Sequence, residues 1–238
     1  MINLNIKKEF KKKYQFNPGW YFLFHPFYFA RRNLNRFFKK HSFNLKGNLL
    51  DVGCGSMPYK NLFTKVENYI GLDIERNKKQ SSANFFYDGK KFPFKDETFD
   101  SVICSQVLEH VFEPDFFLRE IHRVIKINGL VILTVPFIWD EHEKPYDYAR
   151  YTSFGLRYIL KKKGFKILKQ FKIGNDLTVI TQLINCYIYK KLYEKNFFIV
   201  KIISLVLFSC FNILGIFLSL LPNNNDTYID NFIIFKKK

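Results

Sequence analysis

Four short apolar runs in the first half of the chain each end on residues able to do chemistry. Leu49-Leu50-Asp51-Val52 runs into Gly53-Cys54-Gly55, and Tyr69-Ile70-Gly71-Leu72 into Asp73-Ile74. Phe85-Phe86-Tyr87 ends on Asp88-Gly89, and Ser101-Val102-Ile103-Cys104 on Ser105-Gln106. Gly53 and Gly55 let the backbone turn sharply and come close to a ligand with no Cβ in the way. Asp73 follows Asp51 by 22 residues, and an acid about 20 residues on, at the tip of the neighbouring strand, can accept from both hydroxyls of a ribose. Asp88 has the chemistry to accept from the exocyclic amine of a purine. If the runs are parallel strands, Asp51, Asp73, Asp88 and Ser105 converge on one crevice beyond the carboxyl ends, where open α/β sheets bind ligands. The third glycine of a dinucleotide fingerprint falls at position 58, which is Pro58, so a nicotinamide or flavin dinucleotide fits poorly.

A second set of reactive groups lies past the apolar run Leu130 to Val135, in Trp139-Asp140-Glu141-His142-Glu143-Lys144-Pro145-Tyr146-Asp147-Tyr148-Ala149-Arg150-Tyr151-Thr152. A loop in that place shapes the pocket of a second substrate. His142 is the expected general base, because an unperturbed imidazole titrates near neutral pH. Glu141 or Glu143 would orient it, and a role confined to binding fits His142 as well. Arg150 and Tyr151, with Tyr148, suit an anionic acceptor; a salt bridge from Arg150 to Asp147 or Glu143 fits equally. His110 reads as a wall of the first crevice.

These groups need a frame. From Leu49 the alternation of strand and helix patterns predicts a mostly parallel sheet with helices on both faces. Val107 to Val111 is expected to open a helix. Another follows from Pro114, with Leu118, Ile121, Val124 and Ile125 on its buried side and Gly129 as its stop. Ser153–Lys163 reads as a helix, 165–173 as a strand, and 176–196 as a helix. Residues 197–221 are almost wholly apolar and long enough to cross a bilayer. The strand-like run Ile229 to Phe235 follows, and one crossing would leave it on the wrong side. An in-plane or hairpin membrane contact or an oligomer contact is therefore expected, with a buried helix pair as the plain alternative. Lys201, Ser204, Asn212, Gly215 and Ser219 form a thin polar or small stripe, interrupted by Phe208.

The whole chain has 238 residues, enough for one well-filled domain with additions, and 47% are hydrophobic. Its 38 Lys and Arg against 21 Asp and Glu leave a formal charge of +17. That field attracts nucleic acid, anionic lipid or an anionic substrate. Basic clusters at residues 7–13, 31–40 and 236–238 lie beside aromatic residues, which favours a membrane surface over a duplex groove; a solvated basic face explains them as well. His25, Pro26, Arg31 and Arg32 break the apolar run after Trp20, so residues 1–46 are expected to form a basic, aromatic helical extension rather than a signal peptide. Four scattered cysteines, Cys54, Cys104, Cys186 and Cys210, form no C-x-x-C pair, so neither metal nor disulfides are expected and a reducing cytosol fits.

Asp51-Val52-Gly53-Cys54-Gly55, Gly71-Leu72-Asp73, Phe92-Pro93-Phe94 before Phe99-Asp100, and Ser105-Gln106-Val107-Leu108-Glu109-His110 together resemble the class I S-adenosylmethionine-dependent methyltransferases, in particular the type 11 group, over roughly residues 47 to 174. Residues 136–152 are similar to a subgroup found in surface-glycan biosynthesis. The resemblance implies an α/β, Rossmann-like, seven-stranded, mostly parallel sheet whose last strand is antiparallel; to this the chain adds the basic aromatic helical extension of 1–46 and an apolar helical insertion, within 175–238, before the last strand. It implies S-adenosylmethionine as cofactor, held by Asp51, Gly53, Cys54, Gly55, Asp73, Ile74, Asp88, Gly89, Ser105, Gln106 and His110. The implied reaction is methyl transfer to a hydroxyl of a glycan, lipid-linked sugar or small molecule, with His142 catalytic and Glu141, Tyr148, Arg150 and Tyr151 on the acceptor. A quinone or RNA acceptor, or a scaffold without turnover, remains open, although no RNA-binding module is appended. A cytoplasmic location, peripheral on the membrane face, is expected. Ser56 and Met57 in place of a third glycine, and the apolar segment 197–221, depart from the family pattern.

Overall fold

The computed structural model describes residues 23–193 and 197–238. The basic cluster at 7–13 and Trp20, both expected in the N-terminal extension, lie outside them. The elements run in the order α1 (Tyr28–His41), β1 (Gly47–Val52), β2 (Val66–Ile74), β3 (Phe85–Tyr87), β4 (Phe99–Ser105), α2 (Pro114–Val124), β5 (Ile125–Pro136), α3 (Ser153–Lys162), β6 (Phe165–Ile173), α4 (Thr178–Ile188), α5 (Phe198–Leu218) and β7 (Asp230–Lys237). The seven strands form one sheet in the order β3-β2-β1-β4-β5-β7-β6. Strands β1, β2, β3, β4 and β5 pair in parallel. β7 runs the other way, with Lys237 Nζ donating to the carbonyl of Ile125 at the start of β5 and the amide of Ile229 donating to the carbonyl of Ile173 at the end of β6. The α/β fold with an antiparallel last strand is as expected.

Two compact units divide the chain, one of residues 37–137, 141–171 and 231–238 and one of 23–36, 138–140 and 172–230. In the larger, β1, β4 and β5 are apolar on both faces, as strands covered on both sides must be: Leu50, Val52, Val102, Cys104, Val131 and Leu133 are buried on one face and Leu49, Ile103 and Ile132 on the other. α2 begins with Pro114, whose missing N–H costs nothing in the first turn. It buries Phe117, Leu118, Ile121 and Val124. α3 is capped by Thr152, whose hydroxyl accepts from the amide of Gly155 at 3.1 Å.

Two expected helix boundaries are corrected. α2 stops at Val124 rather than Gly129, because Ile125 is already extended and pairs with Phe99 of β4. Residues 107–111 make one 3-10 turn, Leu108–His110, and do not open a helix. The Glu109 carbonyl that a longer helix would use accepts instead from the amides of Tyr148 (2.9 Å) and Ala149 (3.2 Å), and Pro114 has no N–H to carry the ladder on.

In the smaller unit, Phe29, Ala30, Val179 and Ile229 pack together with Ile138, Trp139 and Leu183 beside them. α4 ends at Ile188 and passes into a π turn, Tyr189–Tyr193, short of the expected end at 196; residues 194–196 lie outside the described ones. The small and polar residues of the apolar segment, Ser204, Asn212 and Gly215, are buried, and Phe208 is buried among them. The stripe is the packing side of α5, and Phe208 belongs to it.

Leu133, fully buried in β5, sets the scale of the core: Leu133→Ala is expected to lower the unfolding free energy by about 2–5 kcal/mol in denaturant titration. Ile127→Ala, on a side chain 59% exposed in the same strand, should change it by less than about 0.5 kcal/mol.

Candidate functional site

The turn after β1 is fixed by β2. The amides of Gly53 and Cys54 both donate to the carbonyl of Leu72, at 2.8 and 3.2 Å, and the amide of Gly55 donates to Asp73 Oδ2 at 3.2 Å. Asp73 Oδ1 accepts from the amide of Ile74 (2.8 Å) and from Asn77 Nδ2 (3.0 Å). Gly53 has a φ of +69°, and a Cβ there would stand 2.3 Å from Val107 Cγ2, so no larger residue fits between β1 and the loop after β4. At Gly55 a Cβ would meet nothing within 4 Å. That open space belongs to a cavity of about 150 Å³ lined by Gly53, Gly55, Asp73, Ile74, Arg76, Asn77, Tyr87, Gln106, Val107, His110, Val111 and Glu143. Larger clefts of about 650 and 520 Å³ lie elsewhere in this unit, lined mainly by α2 and by α3 with β6, and neither touches the carboxyl ends of β1, β2, β3 or β4.

Gln106 sits at the tip of β4 with a φ of +58°, a conformation that costs a non-glycine residue on the order of 1–3 kcal/mol and recurs at functional sites. Its amide donates to the carbonyl of Thr134 and its side-chain Nε2 to Thr134 Oγ1. Ser105 shares that threonine hydroxyl at 2.9 Å. His110 Nδ1 lies 2.8 Å from the Tyr146 carbonyl; a carbonyl only accepts, so Nδ1 carries the proton. Nε2 then lies 3.7 Å from Glu109 Oε1.

Asp147 organises the loop after β5. Arg150 grips both its oxygens, Nη1 to Oδ1 at 2.6 Å and Nη2 to Oδ2 at 2.7 Å. The amide of His142 donates to Oδ2 at 2.8 Å, and His142 Nδ1 lies 3.4 Å from the same oxygen. Burial raises the Asp147 carboxyl, but the hydrogen bonds from Arg150 and the His142 amide outweigh it and hold the group down at about 2. It is therefore an anion at neutral pH, able to orient His142 and to stabilise its protonated form. The His142 and His110 rings meet edge to face, 4.8 Å apart. Glu109, His110 and His142 each bring a donor atom within 4.8 Å of the others, a set with the chemistry of a proton relay and of a cation site alike.

Of the residues expected around the cofactor, Gly53, Gly55, Asp73, Ile74, Gln106 and His110 line the cavity. Asp51, Cys54, Asp88, Gly89 and Ser105 do not. Asp51 stands behind the turn, buried, and accepts from the Tyr69 hydroxyl at 2.5 Å. Cys54 is buried, which pushes its thiol up to about 12. Asp88 is exposed and caps the amide of Lys90. On the acceptor side, His142 reaches the rim through His110, and Glu143 lines the cavity itself. The Arg150 fork is taken up by Asp147, so of the two roles open to it the structure forms the salt bridge. Tyr151 packs against the core, Glu141 pairs with Lys144 at 3.1 Å on the surface, and Tyr148 is 45% exposed with its ring against Phe112. Arg76 and Asn77 carry no signal in the sequence, Tyr87 reads there only as part of a strand, and Asp147 only as a possible partner of Arg150. The Arg76 guanidinium lies 4.1 Å from the Tyr146 ring centre, a contact that no local spacing announces.

This geometry agrees with what the sequence matches. Residues 50–133 match a family model described as "Methyltransferase domain". The match supports a class I S-adenosylmethionine-dependent methyltransferase, and the cavity offers the ribose part of that cofactor open space over Gly55 with the Asp73 carboxylate at its edge. A demethylmenaquinone methyltransferase of Streptomyces griseus is 46% identical over 93 residues, covering 36% of this chain and 40% of the relative. The chain spans about two fifths of the length of such curated relatives. Among solved structures, the [4+2]-cyclase SpnF shares the fold with a TM-score of 0.55 at 19% identity, covering 86% of this chain and 80% of that one. Phosphoethanolamine N-methyltransferase 2 of Haemonchus contortus, in complex with S-adenosyl-L-methionine, gives 0.52 at 19% identity over 83% of this chain and 51% of that one.

Burial raises the Asp51 carboxyl to about 7, against the lowering effect of Tyr69 and with a further rise from Asp73. In the unfolded chain the same group titrates near 3.9. Between those values the folded state binds more protons, so stability from this group is fully present below about pH 4 and is lost as pH rises through about 7. Thermal melts from about pH 5 to 8 should therefore show the wild type losing stability relative to Asp51→Asn; parallel profiles would contradict the assignment.

Proposed function

We propose that this chain is an S-adenosylmethionine-dependent methyltransferase acting on a hydroxyl, or a similar nucleophile, of a glycan, lipid-linked sugar or other small acceptor. One observation carries the reading: the glycine turn held by Asp73 and the His142 loop held by Asp147 meet at the same cavity. When bound, S-adenosylmethionine supplies an electrophilic methyl group on a sulfonium. The chain has three tasks around it. Asp73 has lone pairs left to accept from ribose hydroxyls, while its bonds to Gly55, Ile74 and Asn77 keep it in place. Gly55 leaves room for the ligand. His142, held by Asp147, takes the proton from the acceptor hydroxyl, and the Asp147 carboxylate favours the imidazolium that results.

Exposed aromatic faces support a ring-shaped acceptor. Phe112, 75% exposed, follows the cavity-lining Val111, and the Tyr148 ring, 45% exposed, stands against it. Such faces suit stacking on a sugar or an aromatic ring. The Streptomyces relative favours a quinone-type acceptor as the second reading.

Calorimetric titration with S-adenosylhomocysteine tests the cofactor assignment. A hydrogen bond to a charged group is worth about 1.5–3 kcal/mol, so Asp73→Ala should weaken binding about tenfold or more; no binding to the wild type at saturating ligand would sink the proposal. His142→Ala should bind the cofactor product normally and lose about 10²–10⁴ in turnover. With methyl-labelled cofactor, label in the lipid-linked saccharide fraction supports the first reading and label in the quinone fraction the second.

A further inference from the structure

A helix pair built for water hides apolar side chains and exposes polar ones; α4 and α5 bury a row of side-chain amides beside Val179, Ile188 and Phe208, and α5 turns large apolar side chains outward. Asn185 Nδ2 donates to Asn212 Oδ1 at 2.9 Å, Asn212 Nδ2 donates to the carbonyls of Leu23 and His25 at 3.1 Å each, and Gln182 Nε2 donates to the carbonyl of Pro26 at 2.8 Å. All three amides are buried. At Gly215 a Cβ would stand 2.4 Å from the Phe29 ring, so the helix is seated close on a small residue. The opposite side of α5 exposes Phe198, Ile202, Val206, Ile213 and Phe217, from 44% to 76%. Small and polar residues inward with large apolar ones outward is how helices pack where lipid is the solvent.

The hairpin returns to where it began. Asn224 donates through its amide to the carbonyl of Asn175 at 2.7 Å, and Ile229 to Ile173 at 3.1 Å. The chain therefore leaves and re-enters at one place, which a lone crossing by α5 could not satisfy. The apolar side runs round most of the helix, wider than the seam that a single partner helix covers. Charge points the same way: 178–193 and 197–221 contain no acidic residue, and Lys191 is exposed just before α5.

We propose that the α4–α5 hairpin is a monotopic membrane anchor. The outward side of α5 beds among the acyl chains of one anionic leaflet, with the exposed Lys191 at the level of the lipid phosphates. The anchor is independent of methyl transfer.

Flotation of the full chain with phosphatidylglycerol–phosphatidylethanolamine vesicles tests it. Wild type should float, and stay with the vesicles in about 0.5 M salt, where exposed charge attraction is screened. The variant Val206→Asp/Ile213→Asp/Phe217→Asp should remain at the bottom while binding S-adenosylhomocysteine as the wild type does. A wild type that stays at the bottom, or that salt releases, overturns the anchor. So does a dimer in light scattering that these substitutions split without any flotation, which would make a second copy the occupant. A measurement without substitution uses Cys210, exposed where the other three cysteines are buried. A polarity-sensitive dye there should shift to the blue on adding vesicles and be quenched by spin-labelled acyl chains; a dye that stays in water refutes insertion.

Discussion

The amide of Gly55 donates to the Asp73 carboxylate, and the turn that this bond fixes can exist only because Gly53 has no Cβ where Val107 presses against it. The consequences spread outward from those atoms. The pairing of Asp51 with Gly71 and Val52 with Leu72 sets where β1 ends relative to β2, and so delivers the carboxylate to the turn. The pairing of β1 with β4 places Gln106 and the Leu108–His110 turn on the other wall. A one-residue slip in either pairing would turn these side chains to the opposite face of the sheet.

The second half of the site depends on charge rather than on register. Asp147 is held low in pKa by Arg150 and by the His142 amide, so one buried anion both shapes its loop and sets the orientation of an imidazole. The loop is joined to the sheet through the Glu109 carbonyl, which accepts from Tyr148 and Ala149. The carbonyl of Tyr146 fixes His110 in turn. The His142 loop and the His110 wall of the cavity are thus one hydrogen-bonded assembly, and a change to Arg150 would be felt at His142 through Asp147.

Much of this was legible in the sequence, for a physical reason. Parallel strands buried on both faces read as apolar runs, and whatever follows each run lands at one edge of the sheet; of the four residues this placed in one crevice, Asp73 lines the cavity and Ser105 stops one residue short of it, while Gly53, Gly55 and Gln106, expected there from the family resemblance, do line it. The same logic overreached at Asp88, which caps Lys90 instead, and at Asp51, whose side chain turns back to Tyr69. Strand ends give position along the sheet but not which way a side chain turns. Asp147 was visible only as a possible partner for Arg150, and Arg76 not at all, because their roles rest on contacts fixed by folded loops. Periodicity found the stripe on α5 yet could not say that it faced inward, since the buried residues there are the polar ones.

The central claim is that the glycine turn and Asp73 form an S-adenosylmethionine site. Co-crystallisation of the full chain with S-adenosylhomocysteine tests it most directly. The account predicts ligand density over Gly55 with the ribose hydroxyls on the Asp73 carboxylate and the sulfur facing the His110 and His142 side of the cavity. Density elsewhere on the molecule, or a protein that stays empty at saturating ligand, would contradict it.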